Sequence, residues 1–289
     1  MDTSKFVFDG PVGSELSRRG AHTSGPEWSA RALADVPNLV HQIHLDYAAL
    51  GVGVHRTNTF RTRQRTVGSE WRSLAQTAID LARDAAEKTS PKTSFAAQNP
   101  RAGLLADRAA LAGSLGPLED CYRPERAPDD ATIARENEPL IELFLQQRVD
   151  LLFVETIPNP REAIARGRLC VATGLPTWVS MTPGPDGDLI TPEIAYQTGS
   201  QLAQLGVQGV FVNCVAAARA MPFVVALARV DCAVKGIYAN TATWFGEPTD
   251  IEKYTEFALE WARVGVNAIS GCCGTGPAHV AALIDALCA

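Results

Sequence analysis

The clearest indication of the fold is the stretch of residues 149–156, which reads VDLLFVET. An unbroken apolar run leads into a carboxylate, which is typical of a strand that is buried on both faces of a sheet. Helical periodicity precedes this strand across residues 131–147 and follows it across residues 161–173. Parallel strands need a crossover connection, usually a helix, so the stretch predicts one repeat unit of a parallel α/β sheet.

The same alternation continues in both directions. Other strands are predicted at residues 5–8, 52–60, 109–117, 176–182, 207–214, 232–240 and 266–273, and other helices at residues 37–50, 71–88, 193–205, 218–230, 251–264 and 277–288. Residues 90–108 have no clean period and are interpreted as a connection. Eight strands that alternate with helices predict a (β/α)8 barrel, with residues 1–289 as a single domain. The alternative is an open doubly wound sheet, but the sequence shows no topological switch point for it.

Bulk composition favours a soluble enzyme. The chain has 289 residues, of which 46% are hydrophobic and 20% are charged, as expected for a globular α/β protein. A formal net charge of -6 argues against nucleic acid or an anionic membrane surface as a partner. No apolar run approaches the roughly 20 residues of a membrane-spanning helix. The seven cysteines are unevenly spaced and no signal peptide is recognised, so we expect a cytoplasmic protein.

Polar side chains cluster where the predicted strands end. Because active sites of such barrels are built at the carboxyl ends of the strands, these residues are the candidates for function. They are Asp9, Asn58, Ser114, Glu155, Asn213, Cys214, Asn240, Cys272 and Cys273. The five histidines share no metal-ligand spacing and are interpreted as surface or packing residues.

Cys272 and Cys273 indicate a metal site. A disulfide between adjacent cysteines strains the peptide bond between them, whereas two neighbouring thiolates can hold one zinc ion. Cys214 ends another apolar strand and is the best third ligand. Three thiolates with an open fourth position are typical of catalytic zinc. Two other interpretations remain: buried cysteines that act as small apolar side chains, which we apply to Cys170 and Cys232, and a redox switch.

Several motifs together resemble the homocysteine S-methyltransferase family. They are Asp9-Gly10, Glu15-Leu16, Trp28-Ser29-Ala30, Thr57-Asn58-Thr59-Phe60, Gly113-Ser114-Leu115-Gly116-Pro117, Glu155-Thr156-Ile157-Pro158, Val212-Asn213-Cys214 and Gly271-Cys272-Cys273-Gly274-Thr275. The last two are highly specific in combination, and the resemblance extends over nearly the whole chain. Members of this family are (β/α)8 barrels, which agrees with the fold predicted from periodicity.

The resemblance implies the roles of individual residues. Cys214, Cys272 and Cys273 would hold zinc, and the thiol of the substrate would take the open position. Asp9 and Glu155 would bind the amino group of homocysteine, and we place Asn213 among the substrate-binding residues too. No catalytic residue is expected beyond the zinc-activated thiol of the substrate. The implied partners are homocysteine and a small methyl donor, and we expect a monomer.

Fewer residues indicate the methyl donor than indicate the acceptor and the metal. Residues 118–128 and 239–246 depart from the usual pattern of the family, and only 16 residues follow Cys273, which disfavours a betaine-type extension. We expect a sulfonium donor, S-methylmethionine first and S-adenosylmethionine second. The turn at residues 183–187 and the pair Trp244 and Phe245 are candidates for its pocket. The open alternatives are another thiol or a betaine-like donor, and a non-catalytic barrel that senses zinc or thiol redox state.

Overall fold

The eight predicted strands are all present and form one parallel sheet. A computed structural model of the chain describes residues 5–92, 108–243 and 245–288. The order of the strands is β1-β8-β7-β6-β5-β4-β3-β2. The strands are β1 (Phe6–Val7), β2 (Val54–Arg56), β3 (Ala110–Leu115), β4 (Leu151–Ile157), β5 (Thr177–Met181), β6 (Gly209–Ala216), β7 (Val234–Asn240) and β8 (Ala268–Gly271). Of the connection predicted at residues 90–108, residues 93–107 lie outside the described part of the chain.

The sheet closes into a barrel between its first and second strands. The Gly53 amide donates to the Val7 carbonyl at 2.9 Å, and the Asp9 amide donates to the Val54 carbonyl at 3.0 Å. These bonds continue the parallel ladder across the seam, so the fold is a (β/α)8 barrel rather than an open doubly wound sheet. They also fix the backbone of Asp9 at the carboxyl end of β1.

The helices cover the outer face of the barrel. They are α1 (Val12–Arg18), α2 (Ala32–Asp35), α3 (Pro37–Leu50), α4 (Gln64–Val67), α5 (Trp71–Lys88), α6 (Asp130–Gln146), α7 (Pro160–Val171), α8 (Pro192–Gln204), α9 (Met221–Ala228), α10 (Ile251–Val264) and α11 (Pro277–Leu287). The sequence predicted α3, α5 and α10 with the same bounds, but it missed α1, α2 and α4, which are too short to show a period. Among the described residues, no helix has the length and apolar character needed to cross a membrane.

Polar caps and prolines define where several helices begin. The side chains of Asp129, Asn159, Thr191 and Asp250 accept backbone N–H groups in the first turns of α6, α7, α8 and α10. Proline also occupies the start of α3, α7, α8 and α11, where its missing N–H carries no penalty. The strand-to-helix connections, which form the rim, are therefore held at their carboxyl ends.

The two faces of each strand enter different cores. In β4, Leu152 and Val154 pack outward against helices, whereas Phe153 points into the barrel. The interior is filled largely by aromatic rings, and the centroids of Phe153 and Phe211 lie 4.9 Å apart. A Cβ atom at Gly236 would lie 2.1 Å from the Phe211 ring, so glycine is required there. This aromatic packing closes the barrel below the rim and makes a floor for any site above it.

Candidate functional site

A cavity of about 790 Å³ opens at the carboxyl ends of the strands. Its wall includes residues from the ends of seven strands and from the loops that follow β1, β2 and β3. From the strand ends it includes Asp9, Arg56, Ser114, Glu155, Asn213, Cys214, Tyr238, Cys272 and Cys273. All the residues that the sequence predicted to bind substrate or metal therefore line one cavity, although Asp9 contributes to the wall without being exposed.

The three predicted zinc ligands converge in this cavity. The Sγ atoms of Cys214, Cys272 and Cys273 all lie within 4.8 Å of one another. Cys214 belongs to β6, while Cys272 and Cys273 follow β8, so the cluster spans the end of β7. The sulfur atoms of a tetrahedral zinc site stand about 3.8 Å apart, given Zn–S bonds of about 2.3 Å. The three thiols are the ligand types of a zinc site, and because the Sγ atoms of Cys214 and Cys272 lie 2.8 Å apart, these two thiols would have to move apart by about 1 Å to hold the ion.

A backbone irregularity turns the thiol of Cys214 toward the site. Consecutive side chains of a regular strand point to opposite faces. Cys214 instead has a φ of 55°, and the pairing of β6 with β7 shifts register after Asn213. As a result, the Asn213 amide and the Cys214 thiol lie on the same side, and Nδ2 donates to Sγ at 3.3 Å. The same happens in β4, where Thr156 has a φ of 60° and its Oγ1 accepts from Asn213 at 2.8 Å.

Amide and hydroxyl groups hold the backbone around the thiols. Asn240 donates to the Cys214 carbonyl and accepts the amide N–H of Cys273, at 3.1 Å in both cases. Thr275 donates to the Cys272 carbonyl at 2.8 Å. The two halves of the cysteine cluster, which are distant in sequence, are thus linked through one asparagine. Such supporting bonds orient ligands before a metal arrives.

Mutual hydrogen bonding separates the acidities of the three thiols. Hydrogen bonds from Cys214 and Cys272 lower the pKa of Cys273 well below its usual value. Hydrogen bonding to Cys272 and Cys273 raises the pKa of Cys214 well above its usual value. The cluster therefore readily loses a first proton from Cys273. A cation that binds there displaces the remaining protons, since thiolates are the ligands of zinc.

The acidic pair of the cavity is joined by an arginine. Arg56 Nε donates to Asp9 Oδ1 at 2.7 Å, and Arg56 Nη1 donates to Glu155 Oε2 at 2.7 Å. Glu155 also accepts from Ser114 at 2.5 Å and from Tyr238 at 3.0 Å. The guanidinium lies over the Phe8 and Tyr238 rings, 5.2 and 5.1 Å from their centroids. The structure thus brings Asp9 and Glu155 together, and their role toward an amino group stays a prediction.

Arg56 is the main site residue that sequence reasoning missed. Burial alone would lower its pKa, but the carboxylates of Asp9 and Glu155 raise that pKa well above its usual value. Burial raises the pKa of Asp9, and Arg56 partly offsets this effect. The available signal was an arginine as the last residue of β2, at a strand end where a buried charge needs partners.

Three aromatic side chains from the loops also line the cavity: Trp28, Phe60 and Tyr122. Trp28 and Phe60 meet edge to face, with centroids 5.7 Å apart. Of the residues that the sequence suggested for the donor pocket, the turn at residues 183–187 is absent from the cavity wall, and Phe245 is fully exposed to solvent. Trp244 lies outside the described residues. Their role toward a methyl donor stays a prediction.

The loop after β3 forms part of the wall and is anchored by two arginines. Residues 118–122 line the cavity. Arg63 Nη1 donates to the Pro117 carbonyl at 3.0 Å, and Arg61 Nη1 donates to the Glu119 carbonyl at 3.0 Å. This segment belongs to the part of the sequence that departs from the family pattern, so the departure falls on the wall of the cavity.

A second group of metal-binding residue types lies behind Asp9. Ligand atoms of Asp9, His44 and His55 lie within 4.8 Å of one another, and all three residues are buried. However, Arg56 holds both oxygens of Asp9, at 2.7 and 2.9 Å. Burial lowers the pKa of each histidine to about 3. We interpret the two imidazoles as neutral packing groups, because a cation there would be repelled by the guanidinium.

Comparisons of the sequence and of the structure with known proteins all point to homocysteine methyltransferases. A family model described as homocysteine S-methyltransferase matches residues 6–287. The homocysteine S-methyltransferase of Escherichia coli K12 is 28% identical over 96% of this chain and 94% of its own length. The S-methylmethionine–homocysteine S-methyltransferase BHMT2 of Pongo abelii is 26% identical over 97% of this chain and 78% of its own length. The metallated crystal structure of the Escherichia coli homocysteine methyltransferase MmuM is 25% identical, covers 97% of this chain and 95% of that chain, and superposes with a TM-score of 0.78.

Proposed function

Because the chain belongs to the homocysteine S-methyltransferase family, we propose that it is a zinc-dependent enzyme that moves a methyl group from a small sulfonium donor to the thiol of homocysteine. The observation that carries this proposal is the convergence of Cys214, Cys272 and Cys273 within 4.8 Å at the wall of the cavity. Three thiolates with one free position are the ligand set of a catalytic zinc ion rather than of a structural one.

The three cysteines would activate the acceptor thiol, and the methyl transfer itself needs no further catalytic side chain. Cys214, Cys272 and Cys273 would hold zinc, which when bound deprotonates the acceptor thiol and keeps it as a nucleophile. The acceptor sulfur forms a bond to the methyl carbon while the bond from that carbon to the donor sulfur breaks. The donor departs as a neutral thioether, so no side chain has to supply a proton to it.

The acidic pair supports recognition of the acceptor's amino group. Asp9 and Glu155 carry two negative charges against the single positive charge of Arg56, so the cluster has a net charge that favours an ammonium ion. Glu155 is the member that reaches the cavity, since its side chain is 7% exposed and that of Asp9 is 0% exposed. We assign Glu155 to direct contact and Asp9 to the supporting charge. Asn213 borders the acceptor, and its amide orients the Cys214 thiol.

The proposed donor is S-methylmethionine. Aromatic rings attract cations through their faces, and Trp28, Phe60 and Tyr122 supply such rings in the cavity wall. The name of the relative BHMT2 includes S-methylmethionine as its substrate. S-adenosylmethionine is the second candidate, and its larger adenosyl group would have to pass the loop at residues 118–122.

A donor panel tests this function. The zinc-loaded protein would be incubated with homocysteine and, in parallel, S-methylmethionine, S-adenosylmethionine, betaine or dimethylsulfoniopropionate, and methionine formation would be followed. We expect the fastest turnover with S-methylmethionine. A preference for betaine would refute the sulfonium assignment, and the absence of turnover with every donor would favour the non-catalytic zinc or thiol sensor.

A further inference from the structure

The guanidinium of Arg56 is the positive charge that faces the cavity at the proposed acceptor site. Its side chain is 11% exposed, whereas the Asp9 side chain behind it is 0% exposed. Arg56 contacts both oxygens of Asp9, through its backbone amide at 2.9 Å and through Nε at 2.7 Å. An acceptor that enters from the cavity therefore meets a guanidinium and the Glu155 carboxylate side by side, and it does not meet Asp9.

The hydrogen bonds of Arg56 leave one N–H donor without a partner among the described residues. Nε donates to Asp9, Nη2 donates to the carbonyls of Asp9 and Gly10 at 2.7 and 3.1 Å, and Nη1 donates to Glu155. A guanidinium has two N–H groups on each terminal nitrogen. Within the described part of the chain, the second N–H of Nη1 has no acceptor.

The carboxylate of Glu155 likewise has one hydrogen-bond position that the described residues do not fill. Its oxygens receive bonds from Ser114, Arg56 and Tyr238. An ionised carboxylate offers about four acceptor positions, so one position remains among the bonds of the described residues. The neighbouring Arg56 donor and Glu155 acceptor are complementary to a carboxylate and an ammonium group carried on one carbon atom.

We propose that Arg56 binds the α-carboxylate of the thiol acceptor, while Glu155 beside it binds the α-ammonium. This proposal rests on the proposed function and adds a carboxylate-recognising residue to it. Displacement of Arg56 by the ammonium would break its bonds to two carboxylates and two carbonyls, whereas the zwitterion fits the existing arrangement. Asp9 is then a positioning residue that holds the guanidinium in place.

Equilibrium binding to the zinc-loaded protein tests the proposal without any methyl donor. The ligands are homocysteine and 3-aminopropane-1-thiol, which lacks only the carboxylate, and binding would be measured by calorimetry. We expect the wild-type protein to bind 3-aminopropane-1-thiol about 10- to 100-fold more weakly than homocysteine, as for a lost charge-assisted hydrogen bond. Equal affinity for the two thiols would overturn the proposal, and this comparison needs no variant.

Two variants separate recognition from a structural role. Arg56→Gln should weaken homocysteine binding while leaving the affinity for 3-aminopropane-1-thiol nearly unchanged, so the discrimination between them disappears. Arg61→Gln is the matched control, because Arg61 also lines the cavity but donates to the carbonyls of Pro117 and Glu119; it should retain full discrimination. An equal loss for both thiols in Arg56→Gln would mean that Arg56 only maintains the site. If the zinc-loaded wild-type protein binds no homocysteine, the proposed function falls, and the inference falls with it; homocysteine binding without discrimination defeats the inference alone.

Discussion

The Sγ atoms of Cys214 and Cys272 lie 2.8 Å apart although β7 separates their strands in the sheet. The left-handed backbone at Cys214 and the hydrogen bond of 2.8 Å from the Cys272 amide to the Ala239 carbonyl bring the thiols across the end of β7. At this distance one thiol donates its proton to the other, and a zinc ion that replaced the proton would separate the two sulfur atoms to about 3.8 Å. The backbone of the rim therefore brings together the thiols that we propose as metal ligands.

Zinc content should depend on these thiols and on no other cysteine. We expect one zinc ion per chain in the wild-type protein and a large loss of zinc in Cys214→Ser, Cys272→Ser and Cys273→Ser, since serine is a poor zinc ligand. Elemental analysis of the purified proteins measures this. Cys232→Ser is the control, because its thiol donates to the Val234 carbonyl at 3.1 Å and a hydroxyl can do the same. Unchanged zinc in the three site variants would refute the assignment.

Replacing Glu155 by glutamine should weaken acceptor binding and spare the metal. The change removes one charge and one acceptor position, so we expect the Kd for homocysteine to rise about 10- to 100-fold, the range for a hydrogen bond to a charged group. Zinc content should stay at the wild-type value because Glu155 contacts none of the three cysteines. The control is Glu136→Gln, because the Glu136 carboxylate pairs with Arg65 but is not part of the cavity wall. Wild-type affinity for homocysteine in Glu155→Gln would refute the assignment of Glu155 to the amino group of the acceptor.

The Asn213→Ala variant should release zinc faster than the wild-type protein. Its amide donates to the Cys214 thiol and also bonds to Ser180 and Thr156. Removing a group that orients a metal ligand typically lowers metal affinity about 10- to 100-fold. Transfer of zinc to a chromophoric chelator gives the rate, with Asn267→Ala as the control because Asn267 bonds to Lys235 and Ala233 at the opposite end of the barrel. If only homocysteine binding changes, Asn213 acts on the substrate alone.

The stability of the metal-free protein should fall as the pH drops below about 6.5. Burial lowers the pKa of His44 from 6.5 to about 3, so between these values the unfolded chain binds more protons than the folded one. Stability then rises with pH in this window and is lost as the pH falls. Each such histidine contributes a slope of up to about 1.4 kcal/mol per pH unit.

Urea unfolding at several pH values measures this slope. His44→Phe should make it shallower, because the ring nitrogens of His44 have no hydrogen-bond partner among the described residues and a phenyl ring has a similar shape. The exposed His22 provides the control variant His22→Gln. An unchanged slope in His44→Phe would show that His44 does not titrate in this way.

The sequence by itself determined the barrel. Each strand is an apolar run between helical patterns, because a strand covered on both faces must be apolar at every position. This is why the eight strands, the bounds of α3, α5 and α10, and the placement of the polar residues at one rim were all predictable. The choice of Cys214, Cys272 and Cys273 followed too, since carboxyl ends of parallel strands meet at one edge. Helices α1, α2 and α4 were missed because four to seven residues are too few to establish a period.

Only the tertiary structure decided how the side chains meet. Strand periodicity places Asn213 and Cys214 on opposite faces, and the positive φ of Cys214 with its register shift brings them to the same side. Likewise, nothing in the spacing of Asp9, Arg56 and Glu155 indicates that the guanidinium lies between the two carboxylates. That arrangement depends on the three-dimensional approach of β1, β2 and β4, where burial leaves each charge stable only beside an opposite one.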